Sequence, residues 1–222
     1  MNAAPMCEEV MNDAETQAYL RAADDNFAAM GYKEHGPRHA RFAASVAADI
    51  MRSLGYPERD CELARVGGYL HDIGNAISRT DHAQTGAILT LDLLERIGFP
   101  YPELFKIISA IGSHEDKIIT PPTPLAAAVI LGDKTDVHHT RVRSSDLSSL
   151  DTHARVNYAC QNASLHVDRE KKTVCLELTI DTSVCPVMEY FEIFLARIKF
   201  CRKASHALGC EFELFINKDK FL

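Results

Sequence analysis

Five successive segments of this chain each carry metal-ligating side chains on a stripe that would otherwise be apolar. Up to Val142, apolar residues recur at helical spacing in six stretches, about 13–30, 37–54, 59–73, 81–97, 102–115 and 123–142. Breakers separate them: Gly31, Gly36-Pro37, Gly55-Tyr56-Pro57, Gly98-Phe99-Pro100 and Thr120-Pro121-Pro122-Thr123-Pro124. In the second stretch Phe42, Val46 and Ile50 define the apolar face, and His39 stands at its start. The third ends Gly68-Tyr69-Leu70-His71-Asp72-Ile73-Gly74, with an adjacent His and Asp beside the breaker. Leu89, Leu93 and Ile97 of the fourth share their face with His82 and Gly86. Leu104, Ile107, Ile108 and Ile111 of the fifth lead to His114, and Leu125 and Val129 of the sixth lead to Asp133.

A single histidine on such a stripe is more often a hydrogen-bonded core residue than a ligand. A buried carboxylate is harder to accommodate, because without a cation or a proton it costs several kcal/mol. Four histidines and two aspartates pointing at one core share one explanation that removes every penalty, which is metal coordination. Imidazole and carboxylate donors suit Fe, Mn, Co, Mg or Zn, and a donor set without cysteine argues against a closed structural zinc site. Six donors exceed what one ion needs if positions stay open for water and substrate. Two divalent ions are therefore expected, with Asp72 placed to bridge them.

Beyond Val142 the period changes. Arg143 to Asp151 is polar and Ser-rich and reads as a linker. Val174, Leu176, Leu178 and Ile180 then alternate with polar positions as in a half-buried strand, and Asn162 to Val167 reads as its hairpin partner. A helix is expected from about Ser183 to Leu208, with Val187, Phe191, Phe194, Leu195 and Ile198 on its apolar stripe, and a last strand from Cys210 to Ile216. The expected architecture is mainly α: a helical bundle over residues 1–145 and a small α+β unit (β-β-α-β) over 151–222. The second unit reads as a lid or a dimerisation element, so a homodimer is a possible assembly.

The hydrophobic share of 46% is enough for a core, and the net charge of -7 shows no basic stripe suited to a nucleic-acid polymer. Seven scattered cysteines without a C-x-x-C pair suggest a reducing cytoplasm. Met1 to Asp13 carries three acids and no base, unlike a signal peptide, and no apolar run suggests a membrane span.

The ligand pattern resembles the HD superfamily of metal-dependent phosphohydrolases. His39, the pair His71-Asp72 and Asp133 match the family's early His, His-Asp pair and later Asp in order, and Leu70-His71-Asp72-Ile73-Gly74-Asn75 is similar to its central motif. His82-Ala83-Gln84-Thr85-Gly86-Ala87 and Ser113-His114-Glu115 resemble elements of a dinuclear branch that hydrolyses diadenosine polyphosphates. Gly55-Tyr56-Pro57 precedes the His-Asp pair, so it does not indicate the cyclic-di-GMP phosphodiesterases, in which such a tripeptide follows it. Relatives often carry Lys where this chain has Asn75.

The resemblance implies a bundle of the HD-domain type and a phosphoester or phosphoanhydride hydrolase acting on a nucleotide or other small phosphorylated metabolite. Asp72 would bridge the metals, Glu115 would orient or deprotonate water, and Lys134 would face the phosphate. Lys134, His138 and Arg141 follow one another at i, i+4 and i+7, which puts Arg141 roughly 12 Å along a continuous helix from Asp133. Arg38 and Arg79 are further substrate cations. A nucleotide-sensing metal module without turnover and a di-iron oxygenase are the alternatives.

Overall fold

The computed structural model describes residues 6–116, 120–143 and 150–222. Asp13 divides the first helical stretch into α1 (Cys7–Asn12) and α2 (Ala14–Ala29), because its carboxylate accepts the Thr16 N–H at 2.9 Å and caps the second helix. Proline occupies the first turn of α3 (Pro37–Ser53), where a missing N–H removes no helical bond. α4 (Glu58–Leu70), α5 (His82–Ile97), α6 (Tyr101–Ser113) and α7 (Pro124–Lys134) complete the bundle. α7 is apolar on every side from Leu125 to Leu131 and lies fully buried as its central helix.

Three helices that carry or lead to the expected ligands meet at backbone contact. A Cβ at Gly68 of α4 would lie 2.7 Å from the Ala43 carbonyl oxygen of α3, and one at Gly132 of α7 would lie 2.5 Å from the same atom. Only glycine allows that approach. His39, His71 and Asp133 lie within about one helical turn of these contacts, so the crossing that needs glycine also gathers the ligands.

Two helices end earlier than the apolar pattern implies. α4 stops at Leu70, which leaves His71 and Asp72 in a turn before a short 3-10 segment, Ile73–Ala76. α7 stops at Lys134 rather than near 142, and a second 3-10 turn covers His139–Arg141. Thr135 bonds back to its own helix, and the Asp136 carboxylate is drawn away to His39 and Arg38 of α3. Thr135 Oγ1 donates back to the Leu131 carbonyl at 2.7 Å, and Arg141 donates to the Asp136 carbonyl at 3.1 Å, folding the chain over instead of along the axis. The helical face joining Lys134, His138 and Arg141 therefore does not exist.

In the C-terminal unit, α8 (Thr152–Ala159) precedes β1 (Cys160–Asp168), a helix that polar composition concealed. β1 pairs antiparallel with β2 (Thr173–Ile180); α9 (Val187–Ala207) then crosses over to β3 (Glu211–Ile216), which lies parallel to β2. A two-residue β4 (Asp219–Lys220) closes the sheet in the order β1-β2-β3-β4. Val174, Leu176, Leu178 and Ile180 are buried as the alternation requires. On α9, however, Leu195 is 46% exposed, and Tyr190 and Cys201 join Phe194 and Ile198 on the buried side. α9 packs against α7 as well as the sheet. The linker expected over 143–151 lies mostly outside the described residues, as does the extreme N-terminus. All seven cysteines are free thiols, and no described helix is long and apolar enough to cross a membrane.

Candidate metal centre

All six sequence-derived ligands converge on one enclosed point: His39, His71 and His114 are 0% exposed, His82 4%, Asp72 5% and Asp133 7%. The direction of each imidazole is set by its Nδ1. His71 Nδ1 faces the Gly68 carbonyl at 2.8 Å, His114 Nδ1 the Ile111 carbonyl at 2.6 Å, and His82 Nδ1 the Arg79 carbonyl at 3.1 Å. His39 Nδ1 faces a carboxylate oxygen of Asp136 at 2.6 Å. Each of these acceptors takes the proton on Nδ1, which turns each Nε2 inward toward the carboxylates, and His82 Nε2 also lies 3.2 Å from Arg79 Nη1.

Those nitrogens fall into two sets, linked by a third grouping of His71, His114 and Asp133, around Asp72. Its Oδ2 lies 3.7 Å from His39 Nε2 and 3.3 Å from His71 Nε2, and Asp133 Oδ1 lies 3.4 Å and 3.7 Å from the same two nitrogens. Its Oδ1 lies 3.3 Å from His82 Nε2 and 3.9 Å from His114 Nε2, which are 3.2 Å from one another. Donors bound at ~2.1 Å to one ion stand roughly 3.0 Å apart when adjacent and about 4.2 Å apart when opposite. Both sets fall within that range. The Nε2 atoms of His39 and His71 are buried with no well-formed hydrogen bond and face only carboxylate oxygens, at 3.3 to 3.7 Å, the arrangement expected of metal ligands. The donor chemistry, the spacing and the inward-facing nitrogens all fit a divalent cation.

The electrostatics agree. Burial opposes charge on Asp72, but the neighbouring imidazoles, His71 foremost, hold it well below the usual carboxylate range. Burial also opposes charge on His71, yet Asp72 and Asp133 outweigh it and hold the imidazole up at about 10, so the point between the carboxylates strongly favours a cation. On the far side, burial together with His71 and Lys134 pushes His114 down to about 3, keeping it a neutral donor.

Two residues that sequence reading missed support these ligands. Asp136 binds His39 and also receives Arg38 at 2.7 Å, and burial fails to protonate it because His39 and Arg141 hold it ionised. Its position three residues after Asp133 was the available signal. Asn75 donates to Asp72 Oδ1 and to the Asp72 carbonyl, each at 2.9 Å, and so orients the shared carboxylate. Asp136→Asn should weaken binding of Mn(II), measured by titration, by ~10- to 100-fold with the fold retained. Unchanged affinity would show that Asp136 does not set the His39 donor.

The expected substrate cations divide. Arg141 is buried, and its guanidinium donates to the Glu34 carbonyl at 2.8 and 3.0 Å and to that of Asp136, so it braces the loop after α7. Arg38 is paired with Glu34 and Asp136 behind His39. Lys134 and Arg79 remain at the mouth. Lys134 lies between Asp133 and Glu115, at 2.5 Å from each, and burial is outweighed by these acids so that its ammonium stays charged. A cleft of about 420 Å³ opens over Lys134, Glu115 and Arg79 and is walled on its far side by Phe194, Arg197 and Phe200 of α9. A neighbouring hollow of about 330 Å³ shares Arg79 and Glu115 and reaches His82. His35, stacked on Phe27 with ring centroids 3.9 Å apart, lines the larger cleft beside His39.

The helical bundle thus closes around four imidazoles and two carboxylates that could hold a divalent ion. Residues 38–138 match the family model of the HD domain, a segment that contains all six ligands. The uncharacterised protein MJ1020 of Methanocaldococcus jannaschii is 31% identical over 51% of this chain and 52% of its own length, so the chain spans about half of that curated relative. A crystal structure of a predicted HD superfamily hydrolase from an uncultured Thermotogales bacterium superposes with a TM-score of 0.46 at 22% identity, covering 59% of this chain and 68% of that one.

Proposed function

We propose that the chain is a metal-dependent phosphohydrolase that uses two divalent ions to cleave a phosphoester or phosphoanhydride of a nucleotide or other small phosphorylated metabolite. The observation that carries this reading is the division of Asp72: one carboxylate oxygen faces His39 and His71, the other faces His82 and His114. Ions held in the two sets would supply Lewis acidity for the phosphoryl oxygens and a source of hydroxide near neutral pH. Arg79 then presents positive charge where the phosphoryl group enters, and Lys134, held between Asp133 and Glu115, stands at the same mouth as a hydrogen-bond donor. Glu115 stands beside His114 at the same mouth and is the acid placed to accept a proton from attacking water; Lys134 outweighs its burial and keeps it in the carboxylate form. Cleavage transfers the phosphoryl group to water, and the leaving oxygen takes up a proton.

The test is phosphate release by purified full-length protein from nucleotides, dinucleoside polyphosphates and sugar phosphates, with added Mn, Fe, Co or Mg. Release that needs metal and proceeds equally without oxygen is expected. A metal-loaded protein that releases no phosphate from any of them would overturn the reading, and metal-dependent oxygen consumption would replace it with an oxygenase.

A further inference from the structure

The cleft beside the candidate metal centre carries two cations, Lys33 and Arg197, that form no ion pair with a carboxylate among the described residues. Lys33, in the loop after α2, and Arg197, on α9, both stand against the ring of Phe194. The Lys33 ammonium is 5.9 Å from the ring centroid and the Arg197 guanidinium 4.9 Å. Their polar partners are neutral as well: the Asn157 side-chain oxygen at 3.5 Å for Lys33, and the Lys134 carbonyl at 3.4 Å for Arg197. Arg38, Arg59, Arg143 and Arg155 differ, since each is paired with a carboxylate. An aromatic face fixes a cation in place without cancelling its charge. The two acids that line the cleft are otherwise engaged, Glu115 with Lys134 and Asp151 with the Ala154 N–H at 2.7 Å. Burial, with Arg141 and Arg197, pushes the Lys33 ammonium well below its ordinary range, a penalty that a bound anion would relieve.

These cations stand apart from the scissile position but next to it in the structure. Arg197 touches the backbone of Lys134, the residue after the ligand Asp133. Resting on the phosphohydrolase reading above, we propose that Lys33 and Arg197 form a second anion subsite, so that the substrate carries a phosphate on its leaving group in addition to the phosphoryl group presented to the metal centre. The preferred substrates are then bisphosphorylated metabolites or nucleotides with a phosphate remote from the reacting one. The C-terminal unit supplies half of the subsite and thereby takes part in substrate selection.

The test titrates full-length, Mn-loaded protein with alkane-α,ω-bisphosphonates of two to six carbons and with the matching monophosphonates, which cannot be hydrolysed. Metal content is measured after each titration. At the best chain length the bisphosphonate should bind at least about tenfold more tightly than its monophosphonate, the scale of a charge-assisted contact. That preference should vanish in Arg197→Gln and in Lys33→Gln with monophosphonate affinity unchanged, and Arg197→Lys should keep most of it. Equal affinity for both series in the unaltered protein, or a preference that survives both glutamine variants, would overturn the subsite while leaving the hydrolase reading intact. Failure of both series to bind would overturn both readings.

Discussion

Replacing Asp72 with alanine is expected to remove both ions and to lower phosphate release on the order of 10³-fold, because this carboxylate is the donor common to the two ligand sets. His71 and His114 also each belong to two of the three donor groups, but only Asp72 offers a separate oxygen to each side. His82→Ala should therefore leave about half of the bound metal, whereas Asp72→Ala should leave almost none. The variant is expected to fold, since it shortens a side chain at the centre of a cavity rather than adding volume. Metal analysis of the purified variants, alongside circular dichroism, checks both statements. A fully loaded and active Asp72→Ala protein would sink the shared-carboxylate mechanism.

Gly74→Ala is expected to be the most damaging single methyl group in the chain. A Cβ there would fall 2.0 Å from the His82 carbonyl oxygen and 2.6 Å from the Gly86 nitrogen, both backbone atoms that no rotamer change can move. Either α5 shifts outward or the turn after Asp72 distorts. Overpacking against backbone on this scale costs more than ~3 kcal/mol, which in a protein of this size lowers the melting temperature by roughly 10 °C. The displacement also carries His82 away from Asp72 Oδ1, so the variant should lose metal from the His82–His114 set first. Wild-type stability and full metal content in Gly74→Ala would show that the contact between the turn and α5 does not position the site.

The ligands were legible because burying a polar side chain is costly, and helical periodicity exposes the violation. His39, His82, His114 and Asp133 stand out against Phe42, Leu89, Ile107 and Val129 without any structure. The close approach of α5 to the His71-Asp72 turn also leaves a trace, since Gly86 lies one helical turn after His82 on the same face. What periodicity cannot show is where a helix yields to side-chain competition. Thr135 and Asp136 end α7 through bonds to Leu131, His39 and Arg141, and this moves Arg141 from an imagined phosphate contact into a buried brace. Nor does any local pattern connect Lys33 with Arg197, which are brought together only when α9 packs against α7. α8 was hidden for a related reason: its eight residues bury only Val156, Asn157 and Ala159, too few to print a stripe.

The central claim is that one carboxylate serves two metal positions, and anomalous X-ray scattering from crystals grown with Mn(II) tests it most directly. The account predicts two peaks per chain about 3.5–4 Å apart, one against each oxygen of Asp72. One peak alone, or two that do not share Asp72, would contradict it.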